Sequence, residues 1–131
     1  MSQASPKWMK TTGIVLSVLP ALGLIASGIM KLTHAPQFVD KFTHTCGYPE
    51  SLLTPIGILE LASIALYLVP RTAVLGAILV SGYLGGAIAT HVRVQDFGSV
   101  APPLFLAVFA WGGLFLRDAR LRELLPLRND A

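Results

Sequence analysis

The chain has 131 residues, 53% of them hydrophobic and 13% charged, with a formal net charge of +3. Soluble domains carry about 25% charged residues because these cover the surface, so a water-soluble bundle is not the expected class. The basic residues gather at the ends of apolar stretches rather than on one face, which argues against nucleic acid as a partner and for lipid headgroups.

Four apolar stretches set the organisation. Residues 11–30, 72–92 and 97–116 hold no Asp, Glu, Lys or Arg, and residues 51–70 hold Glu60 alone. Each is close to the roughly 20 residues a helix needs to cross a bilayer. A spanning strand needs only about 9–11 residues in strict alternation, so the expected fold is all-α. It is a single four-helix transmembrane domain over 1–131, with spans at about 12–32, 52–69, 72–92 and 100–117.

The first span follows Lys7 and Lys10, as a signal peptide would. It exceeds the usual 7–15-residue apolar core and ends in SGIMKL, so it is expected to stay as a retained helix, bent at Pro20. The connection THAPQFVDKFTHTCGYPES mixes Phe38, Val39 and Phe42 with charges, and PQFVDKFTH is expected to form a short helix on the interface. The second span starts near Ser51, with Pro55 in its early turns, and stops at Pro70. The turn PRT makes the second and third spans antiparallel neighbours. VRVQDFGS leads to the fourth span, with Pro102 and Pro103 in its first turn, where a missing donor costs least.

The tail RDARLRELLPLRNDA is expected to extend as a helix with Leu121, Leu124 and Leu125 on an apolar side, its arginines against anionic headgroups. Lys7, Lys10, Arg71, Arg117, Arg120, Arg122 and Arg128 fall on one side of the membrane, and Lys31, Lys41 and Arg93 on the other. Positive charge favours the cytoplasm, which puts both termini there. Contacts between helices should use small residues, since lipid supplies little hydrophobic drive. Gly82, Gly86 and Thr90 on the third span, and Gly23 and Ser27 on the first, are the expected close-contact positions.

Glu60 is the costliest residue in the chain. It sits near the middle of a segment about 28 Å long, where a carboxylate costs a few kcal/mol or more, so it should face the bundle interior, on the side shared with Gly57, Ser63 or Ile64, and Tyr67. Two readings stand: a proton-bearing or ligand-binding carboxyl, or a neutral glutamate hydrogen-bonded to Tyr83, a serine or a backbone carbonyl. On the neutral reading, replacement by Gln is expected to preserve folding.

Lys31, at the far end of the first span, either snorkels to the interface or turns inward to Glu60 or to Asp96. Its stem reaches about 6 Å whereas Glu60 lies roughly 12 Å inside its own span, so a direct pair needs tilt, a cavity or a water. His91 ends the third span on the same side as Lys31, Asp96, His34, His44 and Cys46. It either caps the helix or joins Lys31 and Glu60 in a polar pocket, a role suited to a side chain that titrates near neutrality. His34, His44, Cys46 and His91 lack the short ligand pairs of a zinc site, so no metal is expected. Cys46 is the only cysteine, which excludes an intrachain disulfide, and it is expected to be exposed and inert. No phosphate loop, nucleotide fingerprint or hydrolytic triad is present, so no catalytic residue is assigned.

SGIMKL (27–32), CGYPE (46–50), GILELASIALYLVPR (57–71) and ATH (89–91), in that order and spacing, resemble the DoxX-like family of small four-helix membrane proteins over residues 12–116. The resemblance implies the four-span architecture, with Lys31, Glu60 and His91 as characteristic polar positions, in a bacterial inner (plasma) membrane. Its namesake is a subunit of a thiosulfate:quinone oxidoreductase, and most members have no assigned reaction. Three functions follow as alternatives. The first is an accessory or structural subunit, as a homodimer or with a larger membrane partner, which predicts a sealed Glu60. The second is binding or transport of a proton or small molecule, which predicts a cavity reaching Glu60 and His91. The third is quinone-linked redox work with no resident cofactor but a bound quinone or lipid, whose ring Glu60, His91, Tyr67 and Tyr83 would contact in an apolar cleft.

Overall fold

The computed structural model describes residues 6–127. Arg128, counted above among the inner charges, lies outside them. The long helices are α1 (Lys7–Leu32), α3 (Leu53–Leu68), α4 (Ala73–Arg93) and α5 (Ala101–Arg117), with short helices α2 (Pro36–Asp40) and α6 (Ala119–Leu124). α1 by itself, and α3, α4 and α5 joined with their leading 3-10 turns, are each long and apolar enough to cross a membrane. The protein is an integral, multi-pass membrane protein. Pro20 stays inside a continuous α1.

The connections make neighbouring helices antiparallel, in the ring α1–α3–α4–α5, with α1 packed most extensively on α5. Two ends result. One carries the described ends of the chain, the α3–α4 turn and α6. The distal end carries the α1–α3 connection and the α4–α5 turn.

Near the chain ends the bundle is closed by backbone approach. A Cβ on Gly13 would fall 2.7 Å from the Gly113 carbonyl oxygen, and one on Gly113 would fall 2.5 Å from Ser17 Oγ. A Cβ on Gly76 would fall 2.1 Å from the Tyr67 nitrogen, so α4 meets α3 main chain to main chain. These small residues let helices approach where lipid supplies no hydrophobic drive. Tyr67 fills the remaining space, fully buried. Its hydroxyl donates to the Ala110 carbonyl at 2.6 Å and lies 3.0 Å from Ser17 Oγ. Arg117 donates to the Tyr67 carbonyl and stands 4.9 Å over its ring.

The expected close-contact glycines differ. A Cβ on Gly82 or Gly86 meets nothing within 4 Å, and one on Gly23 meets only Leu106, at 3.5 Å. An i, i+4 glycine pair marks space for a neighbour, and here the neighbour is a cavity. The tail breaks at Asp118, whose side chain accepts from the Arg120 and Leu121 amides and so starts α6. Leu121 tucks into the core whereas Leu124 and Leu125 are exposed.

The two helices that run to the distal end stop in the same way. After α1, the His34 amide bonds to the Lys31 carbonyl and the Ala35 amide to that of Met30; after α4, Gln95 bonds to Val92 and Asp96 to His91. His34 (φ 52°) and Gln95 (φ 59°) take the left-handed conformation that this closure needs. Both caps lie just past the polar residues singled out in the sequence, and they fix Lys31 and His91 in the last turns of their helices.

Candidate functional site

Lys31 and Glu60 are brought together by the crossing of α1 and α3. A Cβ on Gly57 would lie 3.2 Å from both the Gly28 carbonyl oxygen and Lys31 Cβ. Lys31 therefore starts at the level of Gly57, one turn from Glu60, or about 4.5 Å along the axis. The 12 Å separation expected from sequence is wrong because α1 does not end level with the start of α3. α3 and its leading turn Glu50–Leu52 reach past it, and α2 bridges the difference.

Lys31 Nζ donates to Glu60 Oε2 at 2.8 Å and to Ser27 Oγ at 2.6 Å. It also lies 5.1 Å from the Phe38 ring centroid and 5.5 Å from that of Tyr83. The Tyr83 hydroxyl donates to the same Oε2 at 3.0 Å. Glu60 is 1% exposed and Lys31 8%. Of the partners open to Lys31, the structure selects Glu60, and the two groups lie at ion-pair distance. Glu60 Oε1 is buried without a hydrogen-bond partner.

A cavity of about 820 Å³ adjoins this cluster. Glu60, Lys31 and Tyr83 line its inner part; Thr90 and His91 line it further toward the distal end, and Phe38 and Phe42 of the α1–α3 connection cover it. His91 Nδ1 stands 3.6 Å from Asp96 Oδ2, beyond hydrogen-bonding range, and is buried without a partner.

The expected interfacial helix is thus a cap: α2 continues into a π-helical turn, Lys41–Thr45, over the cavity. Lys41 Nζ donates to Ser99 Oγ at 2.7 Å and lies 3.5 Å from Asp96. A hydrogen bond from Ser99, with the Lys41 charge, holds the Asp96 carboxyl below its ordinary value of 3.8. Tyr48 bonds Thr90 at 2.9 Å, and the Arg93 guanidinium donates to the Cys46 carbonyl while facing the Tyr48 ring.

Of the six residues singled out in the sequence, Glu60, Lys31, Tyr83 and His91 share this cavity, and Asp96 borders it through Lys41 and His91. Tyr67 does not belong to it. Although on the Glu60 side of its helix, it lies two turns nearer the chain ends and is consumed by Ser17, Ala110 and Arg117. Cys46 is buried, 5% exposed, not exposed as expected, because the cap folds back over α4. His34 bonds Glu50 and Thr54, and His44 bonds Asp40. Among the described residues no group of three or more His, Cys, Asp or Glu could hold a metal ion. Sequence reasoning missed Ser27, Phe38 and Lys41. Only Ser27, one turn before Lys31, carried a signal.

Removing one partner of a buried pair strands the other charge, at a cost of about 3–5 kcal/mol. Glu60→Gln is therefore predicted to lower thermal stability in detergent strongly. The double variant Lys31→Met/Glu60→Leu should recover most of the loss. A Gln variant as stable as the parent would refute the ion pair.

A sequence model of the DoxX-like family matches residues 15–113, about three quarters of the chain. No curated protein and no solved structure matches it.

Proposed function

The chain belongs to the DoxX-like family, and we propose that it binds a small, mainly apolar molecule through a hydroxyl or similar donor group at Lys31, Glu60 and Tyr83. The supporting observation is one cavity that runs from His91 to Glu60, where a buried carboxylate oxygen lacks a partner. Glu60 is 1% exposed, as a purely structural acid would also be, so the reading rests on the adjoining cavity and on the unpartnered oxygen. A buried acceptor without a donor costs about 1–3 kcal/mol, more if charged, and a ligand hydroxyl offsets that cost.

A hydroxyl suits both charges. It donates to Glu60 Oε1 and can accept from Lys31, which has three N–H groups and gives two of them to Ser27 and Glu60. A quinone ring brings only carbonyl acceptors, which fit Lys31 but face Oε1 acceptor to acceptor; the reduced quinol fits both. The bilayer is the immediate partner in this reading, and the pocket needs neither a homodimer nor a larger subunit to be complete.

In this reading both termini face the cytoplasm, which the seven-to-three split of Lys and Arg supports, and the membrane is the bacterial inner (plasma) membrane expected from the family resemblance. A green fluorescent protein fused to the C-terminus is expected to fluoresce in cells. A dark fusion, with an active alkaline phosphatase fusion at the same point, would reverse the orientation.

Binding is read by titrating 2-naphthol, an apolar ring with one hydroxyl, into the protein in nanodiscs. The Lys31→Met/Glu60→Leu variant keeps the volume but loses the charged partners. A hydrogen bond to a charged group contributes about 1.5–3 kcal/mol, so affinity should fall roughly 10- to 150-fold. Equal affinity for the two proteins would contradict the proposal.

A further inference from the structure

The cavity is capped at one end, and on its α3/α4 flank exposed residues line it. At the distal end the cap is held down by Lys41 on Ser99 and Asp96 and by Tyr48 on Thr90. That is a charged and hydrogen-bonded closure, a poor doorway for an apolar ligand. The α3/α4 flank is built differently. Successive helical residues turn by about 100°, so Ile56 and Leu59 lie on the face of α3 opposite Leu61, whose side chain packs on Gly28 of α1. Gly82 and Gly86 lie on the lipid side of Tyr83, which bonds Glu60 of α3, and away from Ser81, which bonds Trp111 of α5. These four residues flank the α3/α4 seam, and all four line the same cavity as buried Glu60. Leu59 is 53% exposed, and both glycines are exposed as well.

The glycines have no role in helix contact. Gly13, Gly76 and Gly113 are each pressed against a neighbouring backbone, whereas Gly82 and Gly86 meet nothing within 4 Å. Glycine inside a helix costs roughly 1 kcal/mol relative to alanine, and here the structure returns only open space for it. That space adjoins the cavity that Glu60, Lys31 and Tyr83 also line.

Resting on the pocket reading above, we propose that the α3/α4 seam is a lateral portal and that the ligand is a single-chain amphiphile with a hydroxyl head. The head reaches Lys31 and Glu60, and the tail lies across Gly82 and Gly86 into the bilayer. A cavity of about 820 Å³ holds such a head and the first part of its chain, and apolar walls with a few convergent polar groups are the usual form of such a site.

The test uses the whole protein in nanodiscs with two probes, a long-chain alcohol carrying a photoreactive diazirine on its chain and the short probe 2-naphthol. The parent protein is expected to be labelled by the alcohol on α3 and α4 around Leu59 and Gly86. Gly82→Leu/Gly86→Leu should lose that labelling yet still bind 2-naphthol. Leu59→Trp, a change at a lipid-facing position, provides the same block from the other wall should the double variant fail to fold. Blocked variants that label like the parent overturn the portal and leave the pocket standing. So does a parent that binds 2-naphthol but never takes up the alcohol. Loss of both probes in a folded blocked variant shows the new side chains filling the pocket itself, which also overturns the portal. If the parent binds neither probe, the pocket and the portal fall together.

Discussion

A single buried ion pair organises the distal half of this protein. An acid in the middle of a membrane helix has few stable arrangements, and Lys31 at 2.8 Å from Glu60 is one of them. The pair requires α1 and α3 to cross closely, which Gly28 and Gly57 allow, and it requires α1 to end a turn deeper than α3 begins. That offset leaves a step at the distal end, and the α1–α3 connection fills it as a cap. Crossing, offset and cap are consequences of one contact.

The two halves of the bundle solve opposite problems. Toward the chain ends, glycines bring main chains together and the Tyr67 hydroxyl and ring are spent on structural contacts. Toward the distal end, beside the α1–α3 crossing, polar groups converge with their capacity only partly used, and a cavity opens next to them. The rigid half fixes the helix directions, so the open half can hold its charged cluster in place without filling the space around it. The site is therefore built on helices held elsewhere, and its residues are free to meet a ligand.

Much of this was legible in the residues. The four spans follow from apolar length, and α3, α4 and α5 begin and end within a residue or two of the expected bounds. The interior position of Glu60 follows from the cost of charge in lipid, and Tyr83, one of three kinds of partner expected for it, is the one that bonds it besides Lys31. Sequence gives distance along a helix and not the height of one helix against another, and the Lys31–Glu60 gap turned on that missing offset. Cys46 is buried because the cap folds over α4, and Tyr67, two turns along the same helix as Glu60, is taken up by Ser17, Ala110 and Arg117. The glycines failed for a related reason. Gly82 and Gly86 have the spacing of a contact pair, and Gly13 and Gly113 have no such spacing, yet the second pair makes the contact. The helix closures at His34 and Gln95 were hidden because neither uses glycine.

The pair itself is open to direct measurement. With lysine labelled by nitrogen-15 and glutamate by carbon-13, solid-state NMR of the protein in lipid bilayers should show a dipolar contact between Lys31 Nζ and Glu60 Cδ, with the carbon shift of an ionised carboxylate. A mobile lysine with no such contact, or a glutamate carrying the shift of a protonated acid, would contradict the account at its root.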